Sequence, residues 1–132
     1  MNGNKALLDS NVIIDASKGK LSLKNIINKY DSIYTSIICY IEVMGYNFNS
    51  QKEKSAIESI LQIIPILNLD KEIADIAINF RKKIKIKLPD ALIIATAEKM
   101  AIDLITSNID DFKNLSENIN VIKPNPDKLE KF

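Results

Sequence analysis

Lys5-Ala6-Leu7-Leu8-Asp9-Ser10-Asn11-Val12-Ile13-Ile14-Asp15 sets a carboxylate between two apolar runs. The first run is continuous rather than alternating, the pattern of a strand covered on both faces. It predicts a strand over 5–9 that ends on Asp9. Open α/β sheets place their ligand sites at the carboxyl ends of strands. A charge at the edge of an apolar core is costly unless it is paired or bound to a metal. Asp9 is therefore the first candidate site residue, although a plain helix N-cap would also account for it.

Working outward, the pattern alternates. Ser10 or Asn11 is the expected cap of a short helix, and Lys18-Gly19-Lys20 breaks it. A helix is expected over 21–29, then a strand at Ser32-Ile33-Tyr34-Thr35. Ser36 caps a helix carrying Cys39 and Glu42. Ile57, Ile60, Leu61 and Ile64 form a helical stripe that ends at Pro65. Ile66 to Leu69 is read as a third strand, and Asp70 caps the helix after it. Pro89 opens a further helix, followed by strands at 103–106 and 120–122, with a short helical turn at Asp110-Asp111-Phe112 between them. Strand–helix alternation argues a parallel sheet of about five strands flanked by helices, an α/β fold of three layers. Right-handed crossovers place the strand carboxyl ends on one rim.

At 132 residues the chain fits one domain. Its 46% hydrophobic and 27% charged residues are those of a soluble globular protein. The net charge of +1 imposes no global basic field, though local patches remain open. Absences narrow the chemistry further. Without histidine there is no Ser-His-Asp triad and no His-ligated zinc. The single cysteine, Cys39, allows neither an intrachain disulfide nor a Cys-rich zinc site. It reads as a small core residue in a reducing compartment. The N-terminus carries no leader pattern and no run reaches the ~20 apolar residues of a membrane span, so the cytoplasm is expected.

Carboxylates recur at four places along this rim. Asp9 ends the first strand. Glu42 follows the second, at helical spacing from Ile38, Ile41 and Gly45, which puts it on an apolar face. Asp90 lies in the first turn of its helix, where an acid is also common for dipole reasons. Asp110 and Asp111 follow the fourth strand. Two unit charges ~4 Å apart repel by about 4 kcal/mol at an effective dielectric of 20. A divalent cation removes that cost, and an all-oxygen donor set suits Mg²⁺ or Mn²⁺. Such a site hydrolyses phosphodiesters without imidazole. Asp15, Asp70 and Asp75 read as caps or surface residues. Lys82, Lys83, Lys85 and Lys87 precede Asp90 and are candidate RNA contacts, or a solvated helix end favoured by the macrodipole.

With these residues placed, the chain resembles a PIN-domain ribonuclease, and within that family the VapC-like toxins of bacterial and archaeal toxin–antitoxin pairs. Leu7-Leu8-Asp9-Ser10-Asn11-Val12 is similar to the opening motif. Ser36 to Glu42-Val43 resembles the second, and Pro89-Asp90-Ala91-Leu92-Ile93-Ile94-Ala95 the third. Leu104-Ile105-Thr106-Ser107-Asn108-Ile109-Asp110-Asp111-Phe112 resembles the last. The resemblance implies a PIN-like domain over 1–123 with a polar tail at 124–132. It further implies a Mg²⁺- or Mn²⁺-dependent endoribonuclease, an RNA substrate, a homodimer and a cognate antitoxin. Asp9, Glu42, Asp90 and Asp111 would be the catalytic metal-binding acids, with Asp110 the fallback for the fourth. Ser10, Asn11, Thr106 and Asn108 would orient them. Cys39 stands where relatives often carry Thr or Ser.

Other assignments fit less well. A phosphatase of the haloacid-dehalogenase type wants an acid two residues after Asp9, where Asn11 stands. Receiver domains want an adjacent early acid pair, and nucleotide triphosphatases a Gly-rich phosphate loop. The alternative from another class is a non-catalytic PIN-like module that binds RNA or protein through a weakened metal site. Asn108, at a position where many family members carry Asp, keeps it open.

Overall fold

The computed structural model describes residues 4–125 and 129–131. Six strands form one sheet in the order β3-β2-β1-β4-β5-β6. β1 (Lys5–Leu8), β2 (Ser32–Ser36), β3 (Ile66–Leu67), β4 (Asp103–Ile105) and β5 (Val121–Pro124) are mutually parallel, as the alternation requires. β6 (Leu129–Lys131) pairs antiparallel with β5. It lies in the segment read as a polar tail. Three residues near a chain end carry too little periodicity to announce a strand. The rest of that tail, 126–128 and 132, lies outside the described residues.

The sheet separates two apolar layers because successive strand residues face opposite ways. Ala6 and Leu8 of β1 pack on one face with Val12, Ile13, Ile26 and Ile57. Those residues belong to α1 (Ser10–Ser17), α2 (Leu23–Lys29) and α4 (Gln51–Ile63). Leu7, between them, packs on the other face with Ile93, Ile94 and Phe112. These lie in α6 (Leu88–Met100) and α7 (Ile109–Phe112). α3 (Ile37–Met44) straddles the rim, with Val43 in the first layer and Cys39 in the second. α5 (Lys71–Lys83) lies against α6, where Ile73 and Ala77 meet Ala91 and Ala95. These small side chains let the two helix axes approach closely. Lys99 bonds Asp70, the cap of α5, tying the far ends of the pair.

The strand order decides where a site can form. β1 is followed by a crossover to β2 on one side, while β4 lies on its other side. The carboxyl ends of β1 and β4 therefore flank a topological switch point, where loops leave in opposite directions and a crevice opens. Leu8 is in register with both Thr35 and Ile105. The next residues along, Asp9, Ser36 and Thr106, consequently share one rim. Gly45 closes α3 beside this rim. A Cβ there would meet the Ile41 carbonyl oxygen at 2.9 Å.

Candidate active site

Asp9 is 4% exposed and begins α1 as its N-cap, the structural role the sequence also allowed it, in place of Ser10 or Asn11. Its carboxylate is held by donors from two loops. The Ser10 backbone N–H donates to Oδ1 at 2.8 Å. Thr106 Oγ1 donates to Oδ2 at 2.7 Å and Asn11 Nδ2 to the same oxygen at 3.2 Å. Asn11 also binds the opposite loop, accepting the Ser107 backbone N–H at 3.0 Å. The Asn108 backbone N–H donates to Thr106 Oγ1 at 3.0 Å. Ser10, Asn11, Thr106 and Asn108 thus surround Asp9 in one network that joins the ends of β1 and β4.

Cys39 enters this network. Ser36 caps α3 by accepting the Cys39 N–H at 3.0 Å, which aims the Cys39 side chain toward β1. Its Sγ lies 3.7 Å from Asp9 Oδ1. Burial, then the Asp9 charge, pushes the thiol up to about 12, so it stays protonated and donates. The sequence marked Cys39 as a core residue, and it is fully buried. Its contact with Asp9 follows from the depth at which α3 crosses β1, which spacing along the chain does not reveal.

One ligand-type atom each from Asp9, Cys39 and Glu42 lies within 4.8 Å of the others. Glu42 is not on a buried face, contrary to its apolar neighbours in sequence. Ile41 beside it is 60% exposed, and the buried residues of α3 are Cys39 and Val43. Only the side of α3 that carries Cys39 and Val43 is covered. Crowding nevertheless raises the Glu42 carboxyl above its usual range, through burial of the group first and Asp9 second. A hydrogen bond from Ser10 opposes this, and Asp90 adds to it.

Asp90 sits half-buried in the first turn of α6, after Pro89. Its carboxyl is also raised, by burial, then Asp111, then Asp9, with Lys87 pulling it down. Glu42 thus senses Asp9 and Asp90, and Asp90 senses Asp111 and Asp9, although the four come from separate segments. Asp110 and Asp111 are both exposed and both line the cleft with Asp90. Asp110 pairs with Lys113 at 3.2 Å, whereas the Asp111 charge acts on Asp90.

A cleft of about 580 Å³ opens beside these acids, lined by Arg81, Lys85, Lys87, Asp90, Asp110 and Asp111. Lys85 and Lys87, of the four candidate lysines, reach it. Lys83 lines a neighbouring cleft, and Lys82 is exposed on α5. Arg81, passed over in the sequence, joins them because α5 ends here. A second cleft of about 400 Å³, lined by Asn108, Asp110, Asp111, Lys113 and Lys123, adjoins the first at the α7 acids.

Residues 6–118 match the family model of the PIN domain. This chain belongs to the PIN domain family. Comparison with curated protein sequences gives no match. Among solved structures, this PIN domain is similar to a chain of a toxin–antitoxin complex from Klebsiella pneumoniae. The two share 31% identity over 86% of this chain and 94% of that one, with a TM-score of 0.73. It shares its fold with a chain of VapBC2 from Rickettsia felis bound to a promoter DNA fragment, at 19% identity and a TM-score of 0.76, covering 90% and 98%. DNA-bound VapBC from Salmonella typhimurium gives 19% identity and a TM-score of 0.75, covering 91% and 98%. Among the described residues no helix is long and apolar enough to cross a membrane.

Proposed function

We propose that this PIN domain is a metal-dependent endoribonuclease, the VapC-like toxin of a toxin–antitoxin pair. The observation that carries this is the approach of Asp9 and Glu42 to within 4.8 Å at a single switch point, with Asp90 near enough to act on Glu42. The Glu42 and Asp90 carboxyls are raised there by burial and by neighbouring acids, a poor folding solution and a good cation site. The proposed donors fit Mg²⁺ or Mn²⁺: all are oxygens, and the Cys39 sulfur beside them is protonated. Asp9, Glu42, Asp90 and Asp111 would hold the cation. When bound, it supplies an activated water and stabilises charge on the phosphoryl group.

The chain's own residues set the geometry. Thr106, Asn11 and Ser10 fix the Asp9 carboxylate in one orientation, so it need not reorganise on binding. Glu42 has a pKa shifted toward neutrality, which suits a group that takes a proton from the attacking water. Arg81, Lys85 and Lys87 line the adjoining cleft and would hold the phosphates on either side of the scissile bond. The lack of histidine leaves no competing imidazole route.

The partners follow from the same assignment. A cognate antitoxin is proposed from the toxin–antitoxin complexes that this chain resembles. A second copy of the chain in a homodimer and a cytoplasmic location complete the proposal.

The test is cleavage of mixed single-stranded RNA in Mn²⁺. Cleavage should vanish with chelator and fall by at least a hundredfold in Asp9→Asn. Cleavage that survives both treatments would end the metal mechanism. No cleavage, together with a melting temperature indifferent to millimolar Mn²⁺, would leave the non-catalytic module in its place.

A further inference from the structure

We propose that the cleft next to the acids, between α5, α6 and residues 114–118, binds one base of the RNA and selects guanine. The inference rests on RNA being the substrate. This cleft holds about 360 Å³ and shares Ile84 and Leu115 as walls with the cleft that carries Asp90 and Asp111. A strand lying along the acid cleft reaches it without leaving the surface.

The two clefts differ in charge. The acid cleft offers Arg81, Lys85 and Lys87, which suit phosphate. The neighbouring one sets a single cation, Lys83, against Glu98 and Glu117. It repels phosphate and would take an uncharged part of the nucleotide. Its walls carry what a base site uses: Phe80, half-buried against the core, gives an apolar aromatic contact, and Asn79, Asn114 and Asn118 bring amides. Sequence-selective readers of single-stranded RNA combine these two contacts.

Glu98 supplies the selectivity. Its Oε1 accepts Ser116 Oγ at 2.7 Å and Asn118 Nδ2 at 3.4 Å. These bonds lock the carboxylate in place, while among the described residues no donor is seated on Oε2. A carboxylate only accepts hydrogen bonds. Guanine presents two adjacent donors, N1–H and the exocyclic amino group. Uracil flanks its single N–H with carbonyl oxygens, which a carboxylate repels.

Binding is measured by fluorescence anisotropy in the Asp9→Asn chain, so that cleavage does not interfere. The probes are octauridylate and the same octamer with one central guanosine. The guanosine octamer should bind about tenfold more tightly, in line with the discrimination of a good base contact. Adding Glu98→Gln, which keeps the shape and replaces an acceptor by a donor, should abolish the difference. Should that variant fail to fold, Asn79→Ala on the exposed side of α5 should shrink the same difference. Equal binding of both octamers, or a preference unchanged in the substituted chains, overturns the subsite. Mapping of wild-type cuts in random RNA with Mn²⁺ separates the two proposals. Cleavage without a guanosine bias removes the subsite alone. A guanosine preference in binding without any cleavage removes the nuclease and leaves the base site.

Discussion

Thr106 donates its hydroxyl to Asp9 Oδ2 at 2.7 Å, joining residues 97 positions apart at the ends of adjacent strands. Both are buried, and Thr106 in turn accepts the Asn108 N–H. The bond exists because β1 and β4 pair in register at Leu8 and Ile105.

Thr106→Val keeps the shape and removes the hydroxyl. It leaves a buried carboxylate one donor short and the Asn108 N–H without its acceptor. A loss of about 1–3 kcal/mol in stability is expected from denaturant unfolding. Mn²⁺ affinity should fall at least tenfold by calorimetry, because Asp9 loses its fixed orientation. Unchanged affinity would show that Thr106 serves stability alone.

Cys39 tests whether a protonated donor is needed beside Asp9. Cys39→Ser supplies a stronger donor of smaller volume, so RNA cleavage should be kept or raised. Cys39→Ala removes the donor and opens a small gap, so cleavage should fall severalfold. The two variants should lose similar packing energy, of order 1 kcal/mol by thermal melting. Equal activities would reduce Cys39 to a space-filler.

The neighbouring acids of α7 should separate cleanly. Asp111 raises the Asp90 carboxyl, whereas Asp110 is engaged by Lys113. Asp111→Asn should lower kcat by tenfold or more and weaken the stabilisation by Mn²⁺. Asp110→Asn should cost far less on both counts, since its exposed ion pair is worth at most about 1 kcal/mol. The reverse ranking would pass the fourth acid to Asp110.

In the metal-free protein Glu42 and Asp90 should each subtract stability as pH rises through the carboxylate range. Glu42 and Asp90 both have folded-state pKa values raised above the unfolded ones. Folding then favours their protonated forms. Their contribution is full below the ordinary carboxylate pKa and is lost as pH climbs through the raised values. Asp90→Asn should flatten this slope in melting experiments without metal. Mn²⁺ binding should show the opposite trend, weakening as pH falls and the carboxylates take up protons.

Local signals in the chain were sufficient for most of the fold. The apolar run at β1, the Ser36 and Asp70 side chains at helix starts and Pro89 in the first turn of α6 act over a few residues, and each appears in the structure. β6 was not legible, because its pairing with β5 depends on a partner rather than on its own pattern.

The acids divide in the same way. That Asp9, Glu42, Asp90 and an acid of α7 lie at the ends of elements could be read residue by residue, since strand period and helix caps are local properties. Tertiary structure alone decided that Asp110 pairs with Lys113 while the Asp111 charge acts on Asp90, that Cys39 meets Asp9, and that Glu42 is open rather than buried. It also decided that Arg81 shares a cleft with Lys85 and Lys87. These depend on strand register and on how α3, α5 and α6 pack against the sheet and one another. Such arrangements are set by side chains packed from remote parts of the chain, and no local spacing carries them.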